Sequence, residues 1–143
     1  MSKAILFDTN VLVYAKDQPS SFHDKAVQFL DNYEGEIYTT SKNLTEYLVA
    51  TTRGDTPISP LSEALEDIDD FINVFSILYP DKKSYQKLLQ LLTQHQHRGK
   101  KIHDYEIAAI ALANNIKQIA TFNEKDFSGI AGVQVINPAH HTF

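Results

Sequence analysis

The chain lacks cysteine altogether, and this absence removes several kinds of chemistry from consideration. Disulfides, zinc sites built on thiolates and cysteine nucleophiles are excluded, so any metal ion must be held by oxygen or imidazole ligands. Apolar runs of membrane length are missing as well, and the four apolar residues before Asp8 are too few for a signal peptide. We therefore expect a cytoplasmic protein that does not associate with membranes.

Basic residues are also scarce: 13 Lys and Arg stand against 18 Asp and Glu, a formal net charge of −5. This balance argues against a protein that coats nucleic acid through bulk positive charge. It does not exclude a nuclease, because cations can bridge an acidic centre to phosphate. With 143 residues, of which 43% are hydrophobic, the chain is long enough to bury a core of its own.

Apolar patterns of strand type and helix type alternate along the chain. The predicted strands are residues 4–7, 37–40, 73–78, 117–122 and 133–136, and the main helices between them include 21–32, 81–95 and 103–115. Such alternation predicts an α/β fold, a three-layer α/β/α sandwich with a central, mostly parallel sheet of about five strands. No repeat or linker interrupts the pattern, so we expect residues 1–143 to form a single domain.

Asp8 directly follows the first predicted strand, which is apolar throughout. In an open α/β sheet, ligands bind outside the carboxyl ends of the strands, so a carboxylate delivered there by a buried strand is well placed for chemistry. The alternative is a turn, in which Asp8, Thr9 and Asn10 bond to local backbone and cap the segment that follows.

Two more carboxylates lie on predicted helices. Glu46 shares a helix face with Val49 and Ala50, so it projects from a partly apolar face; the alternative is an ordinary surface glutamate. Asp104 falls in the first turn of a helix that is apolar nearly all round. Capping alone would explain Asp104, but a helix so deeply buried brings its N-terminus to the edge of the sheet.

A fourth carboxylate, Asp126, lies in the loop after the strand predicted at 117–122, where Asn123 either turns the chain or presents an oxygen ligand. One edge of a parallel sheet can gather Asp8, Glu46, Asp104 and Asp126. Close carboxylates raise one another's pKa unless cations neutralise them, and an oxygen-only ligand set points to Mg²⁺ or Mn²⁺. Such an ion can activate water against a phosphodiester, so the pattern predicts metal-dependent phosphodiester hydrolysis.

Four stretches, in this order, resemble the motifs of the PIN-domain family, and within it those of the VapC-type toxins of toxin–antitoxin pairs. They are ILFDTNVL at 5–12, TSKNLTE at 40–46, IHDYEIAA at 102–109 and ATFNEKDF at 120–127. The resemblance covers essentially the whole chain. It implies a PIN-like fold, usually a homodimer, that cleaves RNA with Mg²⁺ or Mn²⁺ and is silenced by a cognate antitoxin.

The resemblance also implies roles for the acidic residues. Asp8 and Asp104 would be the principal metal ligands, Glu46 a further ligand or the group that orients the attacking water, and Asp126 the fourth acidic member.

This chain departs from the family pattern at Asn123, where many members have an aspartate. Whether Asn123 or Asp126 faces the metal is therefore open. Asn10 and Thr121 would orient ligands or phosphate through hydrogen bonds.

Basic residues are concentrated only between His95 and His103, where Arg98, Lys100 and Lys101 directly precede Asp104. This stretch could hold the RNA backbone near the metal ions. The alternative is a solvated, charged turn between two helices.

Two other functions are compatible with the pattern. A phosphotransferase of the haloacid dehalogenase type also has an Asp at the end of its first strand, but it uses that residue as a nucleophile and normally has a second Asp two residues later. Here that position is Asn10. A catalytically silent PIN-like module that binds RNA or a protein is the other alternative, and the presence of all four acidic residues counts against it.

Overall fold

The computed structural model describes residues 3–143, which form a five-stranded parallel sheet covered by helices. The strands are β1 Ile5–Phe7, β2 Ile37–Thr40, β3 Ser76–Leu78, β4 Gln118–Ala120 and β5 Gln134–Ile136. The helices are α1 Thr9–Lys16, α2 His23–Asn32, α3 Ser41–Thr52, α4 Leu61–Val74, α5 Lys82–His95 and α6 Lys101–Ala113. Short 3₁₀ turns, Glu124–Asp126 and Pro138–His140, follow β4 and β5. The predicted α/β class and strand number are confirmed.

The two faces of the sheet carry separate apolar clusters, because side chains alternate along each strand. Ile5 and Phe7 pack on one face with α1 to α4, and Leu6 packs on the other with α5 and α6. The Phe7 ring lies 5.5 Å from the ring of Phe29 and 5.1 Å from that of Phe75, measured between centroids. These layers make up the predicted α/β/α sandwich.

The strand order β3-β2-β1-β4-β5 reverses its direction next to β1. The chain runs from β1 through β2 and β3 to one edge of the sheet and then crosses to β4 and β5 on the other side. In an open parallel sheet, the crevice at the carboxyl ends of the strands beside such a reversal is the usual ligand site. The last residues of β1 and β4, Phe7 and Ala120, are paired, so Asp8 and Thr121 emerge side by side.

Helix α1 is absent from the predicted elements. Its first residue, Thr9, follows Asp8 directly, and the Thr9 backbone N–H donates to Asp8 Oδ1 at 2.9 Å. The capping interpretation of Asp8 is therefore correct as local structure, but the segment that it caps is a helix of eight residues. A strand that passes into a helix without a loop leaves little turn signal in the sequence.

The strand predicted at 73–78 is too long at its start, because Asn73 and Val74 belong to α4 and only Ser76–Leu78 pairs in the sheet. The Phe75 N–H bonds to the Phe71 carbonyl at 2.8 Å, and both rings are buried in the core. Helical packing of these two rings outweighs the β-propensity of the segment.

Within residues 3–143, no helix combines the length and the apolar character that crossing a membrane requires.

Candidate active site

Asp8 is held at the carboxyl end of β1 by hydrogen bonds from three residues. Its Oδ1 accepts from the Thr9 backbone N–H at 2.9 Å and from Asn43 Nδ2 at 3.3 Å, and its Oδ2 accepts from the Thr121 hydroxyl at 2.9 Å. Only 8% of the residue is exposed. Within residues 3–143, no Lys or Arg forms an ion pair with this carboxylate.

The environment of Asp8 disfavours its negative charge. The pKa of Asp8 is raised to about 7, mainly by burial; the hydrogen bonds from Thr9 and Thr121 act in the opposite direction, and the charges of Glu46 and Asp104 add to the increase. A nearby cation would stabilise the ionised form.

Asn43 links Asp8 to the start of α3. It is fully buried, it accepts a hydrogen bond from the Thr40 hydroxyl at 2.7 Å, and its Nδ2 donates to the Thr9 hydroxyl oxygen at 3.0 Å as well as to Asp8. The Thr9 hydroxyl in turn donates to Glu46 Oε2 at 2.9 Å. The sequence pattern assigned no role to Asn43, although a signal was present: Asn43 lies three residues before Glu46, on the same side of the helix.

Asn10 and Thr121 connect α1 to the segment after β4. Asn10 Nδ2 donates to Thr121 Oγ1 at 3.0 Å, and Asn10 Oδ1 accepts from the Phe122 N–H at 3.1 Å. Thr121 Oγ1 also accepts from the Asn123 N–H at 3.1 Å. Both polar atoms of the Asn10 side chain thus form hydrogen bonds with the protein, and the Thr121 hydroxyl itself donates to Asp8.

Asp104 and Asp126 form a second, more open part of the site. Burial raises the pKa of Asp104 to about 6, with a further contribution from the charge of Asp126, whereas Lys101 acts in the opposite direction. Lys101 Nζ lies 3.9 Å from Asp104 Oδ2. It also donates to the backbone carbonyls of Lys125 and Asp126, at 2.9 and 2.5 Å. Lys101 therefore ties the 3₁₀ turn to α6.

The four predicted acidic residues line one cavity of 560 Å³, to which Asn10 also contributes. These residues are Asp8, Glu46, Asp104 and Asp126. An adjoining cavity of 330 Å³ shares the first three of them. The structure thus brings the carboxylates together at the reversal point of the sheet.

The remaining predicted site residues lie outside these two cavities. Asn123, Arg98 and Lys100 are exposed and line neither of them. Lys101 is engaged with the carbonyls described above. The 3₁₀ turn that begins after Asn123 directs Asp126, and not Asn123, to the cavity wall.

Two basic residues that the sequence pattern did not single out do line the cavities. Arg53 lies on the wall of the larger one, and Lys42 on that of the smaller, where its Nζ forms an ion pair with Glu106 at 2.8 Å. Arg53 is seven positions after Glu46. That spacing places both residues on one face of α3, so the sequence contained the signal.

The larger cavity suits a hard divalent cation, because carboxylate oxygens predominate among the polar groups that line it. Positive charge there would lower the pKa of both Asp8 and Asp104, which gives the fit an electrostatic basis. In the described part of the chain, no three His, Asp or Glu side chains stand close enough to hold a metal ion as they are placed. Binding would require the carboxylates to draw together.

A family model described as PIN domain matches residues 5–133 of the chain, a span that contains all four acidic residues. A comparison with curated proteins gives no match.

Several solved structures have a similar fold. A chain of VapBC2 from Rickettsia felis, bound to a DNA fragment from their promoter, is 22% identical, with a TM-score of 0.70 and coverage of 94% of this chain and 98% of that one. VapC20 from Mycobacterium tuberculosis, a Sarcin-Ricin loop cleaving toxin, is 14% identical, with a TM-score of 0.71 and coverage of 90% and 98%. FitAcB from Neisseria gonorrhoeae is 21% identical, with a TM-score of 0.67 and coverage of 96% and 99%. At these identities the likeness concerns the fold.

Proposed function

The chain belongs to the PIN-domain family, and from that membership we propose that it is a Mg²⁺- or Mn²⁺-dependent endoribonuclease that hydrolyses RNA phosphodiester bonds. The observation that carries the proposal is the common cavity of Asp8, Glu46, Asp104 and Asp126 at the carboxyl ends of parallel strands. Two of these carboxylates have raised pKa values, so the cavity favours added positive charge.

Asp8 and Asp104 are the proposed principal metal ligands, with Glu46 and Asp126 completing the set. A divalent ion bound there supplies Lewis-acid activation of water and offsets charge on the phosphodiester. Asp126 takes the fourth place in preference to Asn123, because Asp126 lines the cavity. The hydrogen bonds of Thr9, Asn43 and Thr121 keep the Asp8 carboxylate oriented before substrate binds.

Glu46 is the residue best placed to orient the attacking water. Its Oε2 accepts the Thr9 hydroxyl, and within residues 3–143 its Oε1 receives no hydrogen bond. With the carboxylate held through Oε2, Oε1 can accept a proton from water. The water oxygen then bonds to phosphorus as the bond to the leaving ribose oxygen breaks. Thr9 therefore acts as a positioning residue for Glu46.

The cellular role that we propose is that of the toxin component of a VapBC-type toxin–antitoxin pair, acting in the cytoplasm as a homodimer and silenced by a cognate antitoxin. Support comes from the shared fold with VapBC2 of Rickettsia felis and VapC20 of Mycobacterium tuberculosis. A small neighbouring reading frame that encodes a DNA-binding fold with a flexible tail is expected, and its product should copurify with this chain. Analytical ultracentrifugation of the free chain tests the dimer.

The nuclease proposal is tested by incubating the purified chain with structured RNA in Mg²⁺ and in EDTA. We expect cleavage in Mg²⁺ by the wild type and by Lys117→Gln, an exposed control at the amino end of β4, and no cleavage in EDTA or by Asp8→Asn. Equal RNA loss with wild type and Asp8→Asn would indicate a contaminant and contradict the assignment. RNA binding without cleavage by the folded wild type would favour the silent PIN-like module instead.

The phosphotransferase alternative receives no support from the site. Such an enzyme needs a second acidic group two residues after its nucleophile, and Asn10 is neutral there, with its side chain bonded to Thr121 and Phe122.

A further inference from the structure

Among residues 3–143, Arg53 is the one basic residue that lines the larger cavity. Within residues 3–143, the Arg53 guanidinium forms no ion pair and no hydrogen bond with the protein. A cationic side chain on the wall of a carboxylate-lined cavity, with its donors unused, is available to an anionic ligand.

The backbone around Arg53 is well defined, although its side chain is exposed. Arg53 directly follows α3 as its C-cap, its N–H bonds to the Val49 carbonyl at 3.2 Å, and Gly54 turns the chain with a φ of +83°. The Ser59 N–H then returns to the Thr51 carbonyl at 3.0 Å, which holds the following loop beside α3. Arg53 lies seven residues after Glu46, about 10 Å along the helix axis at a rise of about 1.5 Å per residue.

The cavity wall between Glu46 and Arg53 is apolar. Val49 and Ala50 lie on the same face of α3, and Ile58 joins them from the loop. Val49 is 54% exposed and Ile58 is 46% exposed. Holding a metal ion does not require apolar groups in these positions, whereas the flat face of an unpaired nucleobase would cover them.

We propose that Arg53 binds a phosphate of the RNA strand beside the scissile one, and that Val49 and Ile58 form the wall against which the base between the two phosphates packs. The inference rests on the proposed function, since it places the scissile phosphate at the carboxylates. The ligand is a single-stranded stretch of RNA, because a base must be unpaired to reach the wall.

Charge complementarity supports this choice of ligand. The chain carries a formal net charge of −5, and five carboxylates line the cavity, Asp17 among them, so an RNA backbone needs local positive charge to approach it. The planar guanidinium of arginine presents donors that match phosphate oxygens. A cation at a helix C-terminus is favourable in itself, but that effect accounts neither for a guanidinium on the cavity wall nor for the apolar surface beside it.

The test is equilibrium binding of a fluorescent single-stranded RNA oligonucleotide in Mg²⁺, with Asp8→Asn present in every protein so that the probe stays intact. Adding Arg53→Gln is expected to weaken binding about tenfold at low salt and to reduce the slope of log K against log salt by about 0.7, the value for one phosphate contact on a single strand. Arg53→Lys keeps the charge and should retain most of the slope. Lys117→Gln removes the same charge at the amino end of β4, away from the cavity, and should leave binding unchanged.

A gel of the recovered probe tests the proposed function separately: cleavage of the probe by the Asp8→Asn protein would contradict the role of Asp8. The binding affinity tests the role of Arg53. Equal affinities for the Arg53→Gln and Lys117→Gln proteins overturn the inference, as does a salt slope that Arg53→Gln leaves unchanged. A loss seen with Arg98→Gln and not with Arg53→Gln would assign the phosphate to the basic stretch before α6. A loss of protein-partner binding alone would make Arg53 part of a protein interface.

The apolar wall has a different expected signature. Ile58→Ser should weaken RNA binding about threefold and leave the salt slope unchanged, because an apolar contact with a base releases no counterion. Ile58 is half exposed, so the substitution is expected to leave the fold intact. Unchanged affinity with Ile58→Ser would overturn the packing of a base on this wall.

Discussion

The two ends of the carboxylate site are built differently. At the β1 end, Asp8 is buried and receives hydrogen bonds from Thr9, Asn43 and Thr121, all of which belong to secondary-structure elements or follow them directly. At the α6 end, the Asp104 side chain is 29% exposed and is connected to the turn that carries Asp126 through one flexible side chain, that of Lys101.

This difference separates a buried carboxylate that is held by several hydrogen bonds from two more exposed ones. The core sets the position of Asp8, and burial there makes its negative charge costly without a cation. Asp104 and Asp126 are both more exposed than Asp8, and Lys101 contacts the Asp104 carboxylate and the backbone of the turn that carries Asp126. Substitutions at one end of the site should therefore differ in effect from substitutions at the other.

The largest expected effect is on cleavage. Asp8→Asn should lower kcat for RNA by about a thousandfold or more, since the amide keeps the shape and the helix cap but loses the charge that holds the metal ion. Asp126→Asn should cost about tenfold, because its carboxylate is the less rigidly held. Single-turnover cleavage with saturating Mg²⁺ measures both, and circular dichroism checks the fold. Equal losses would contradict the contrast between the two ends.

The next effect is on the free energy of unfolding in the absence of divalent cations. This free energy should fall as the pH rises from about 4 to about 7. In this interval the unfolded chain has released the proton of Asp8, whose ordinary pKa is 3.8, whereas the folded chain still holds it because burial raises the pKa to about 7. Raising the pH therefore favours unfolding, by a total on the order of a few kcal/mol for this one group.

Urea denaturation in EDTA at pH 4.5 and pH 8 measures this dependence, with Asp8→Asn as the reference that lacks the titrating group. The difference in unfolding free energy between the two proteins should shift in favour of Asp8→Asn at pH 8. Addition of Mg²⁺ at pH 8 should stabilise the wild type more than the variant. A difference that does not change with pH would show that Asp8 ionises normally in the fold.

A smaller loss of stability is expected for Asn43→Ala. It removes the buried amide that bridges Thr40, Thr9 and Asp8, and it should cost about 1–3 kcal/mol of unfolding free energy because the partners stay buried without it. Thr45→Ala, two positions along the same helix and exposed, is the matched control and should cost under about 0.5 kcal/mol. Thermal unfolding of the two variants side by side provides the measurement.

The smallest effect is expected for Lys101→Met. The substitution keeps the apolar stem but removes the donor to the carbonyls of Lys125 and Asp126, so it should change stability by less than about 1 kcal/mol. Amide hydrogen exchange in residues 124–126 should become faster, with exchange in β1 unchanged. If Lys101→Met instead destabilised the whole fold, the α6 end would be as rigid as the β1 end.

Much of the fold followed from local patterns. The strands are short apolar runs bounded by turn residues, so their number and parallel arrangement could be predicted. Each acidic residue of the site could be recognised because it follows a strand or lies on a helix that begins near the end of one. Helix α1 was missed because no loop separates it from β1 and its cap, Asp8, has the same signal as a turn. The start of β3 was misplaced because Phe71 and Phe75 pack in helical register.

The sequence by itself determined which chemical groups stand at the carboxyl ends of the strands, because that depends on residue type and on the alternation of elements. Only the tertiary structure decided how these groups are used. Thr121 reaches Asp8 across 113 positions of the chain, Lys101 bonds to the 3₁₀ turn, and Asp126 rather than Asn123 meets the cavity. Such contacts depend on the direction of side chains in segments brought together by packing, and no local spacing encodes that direction.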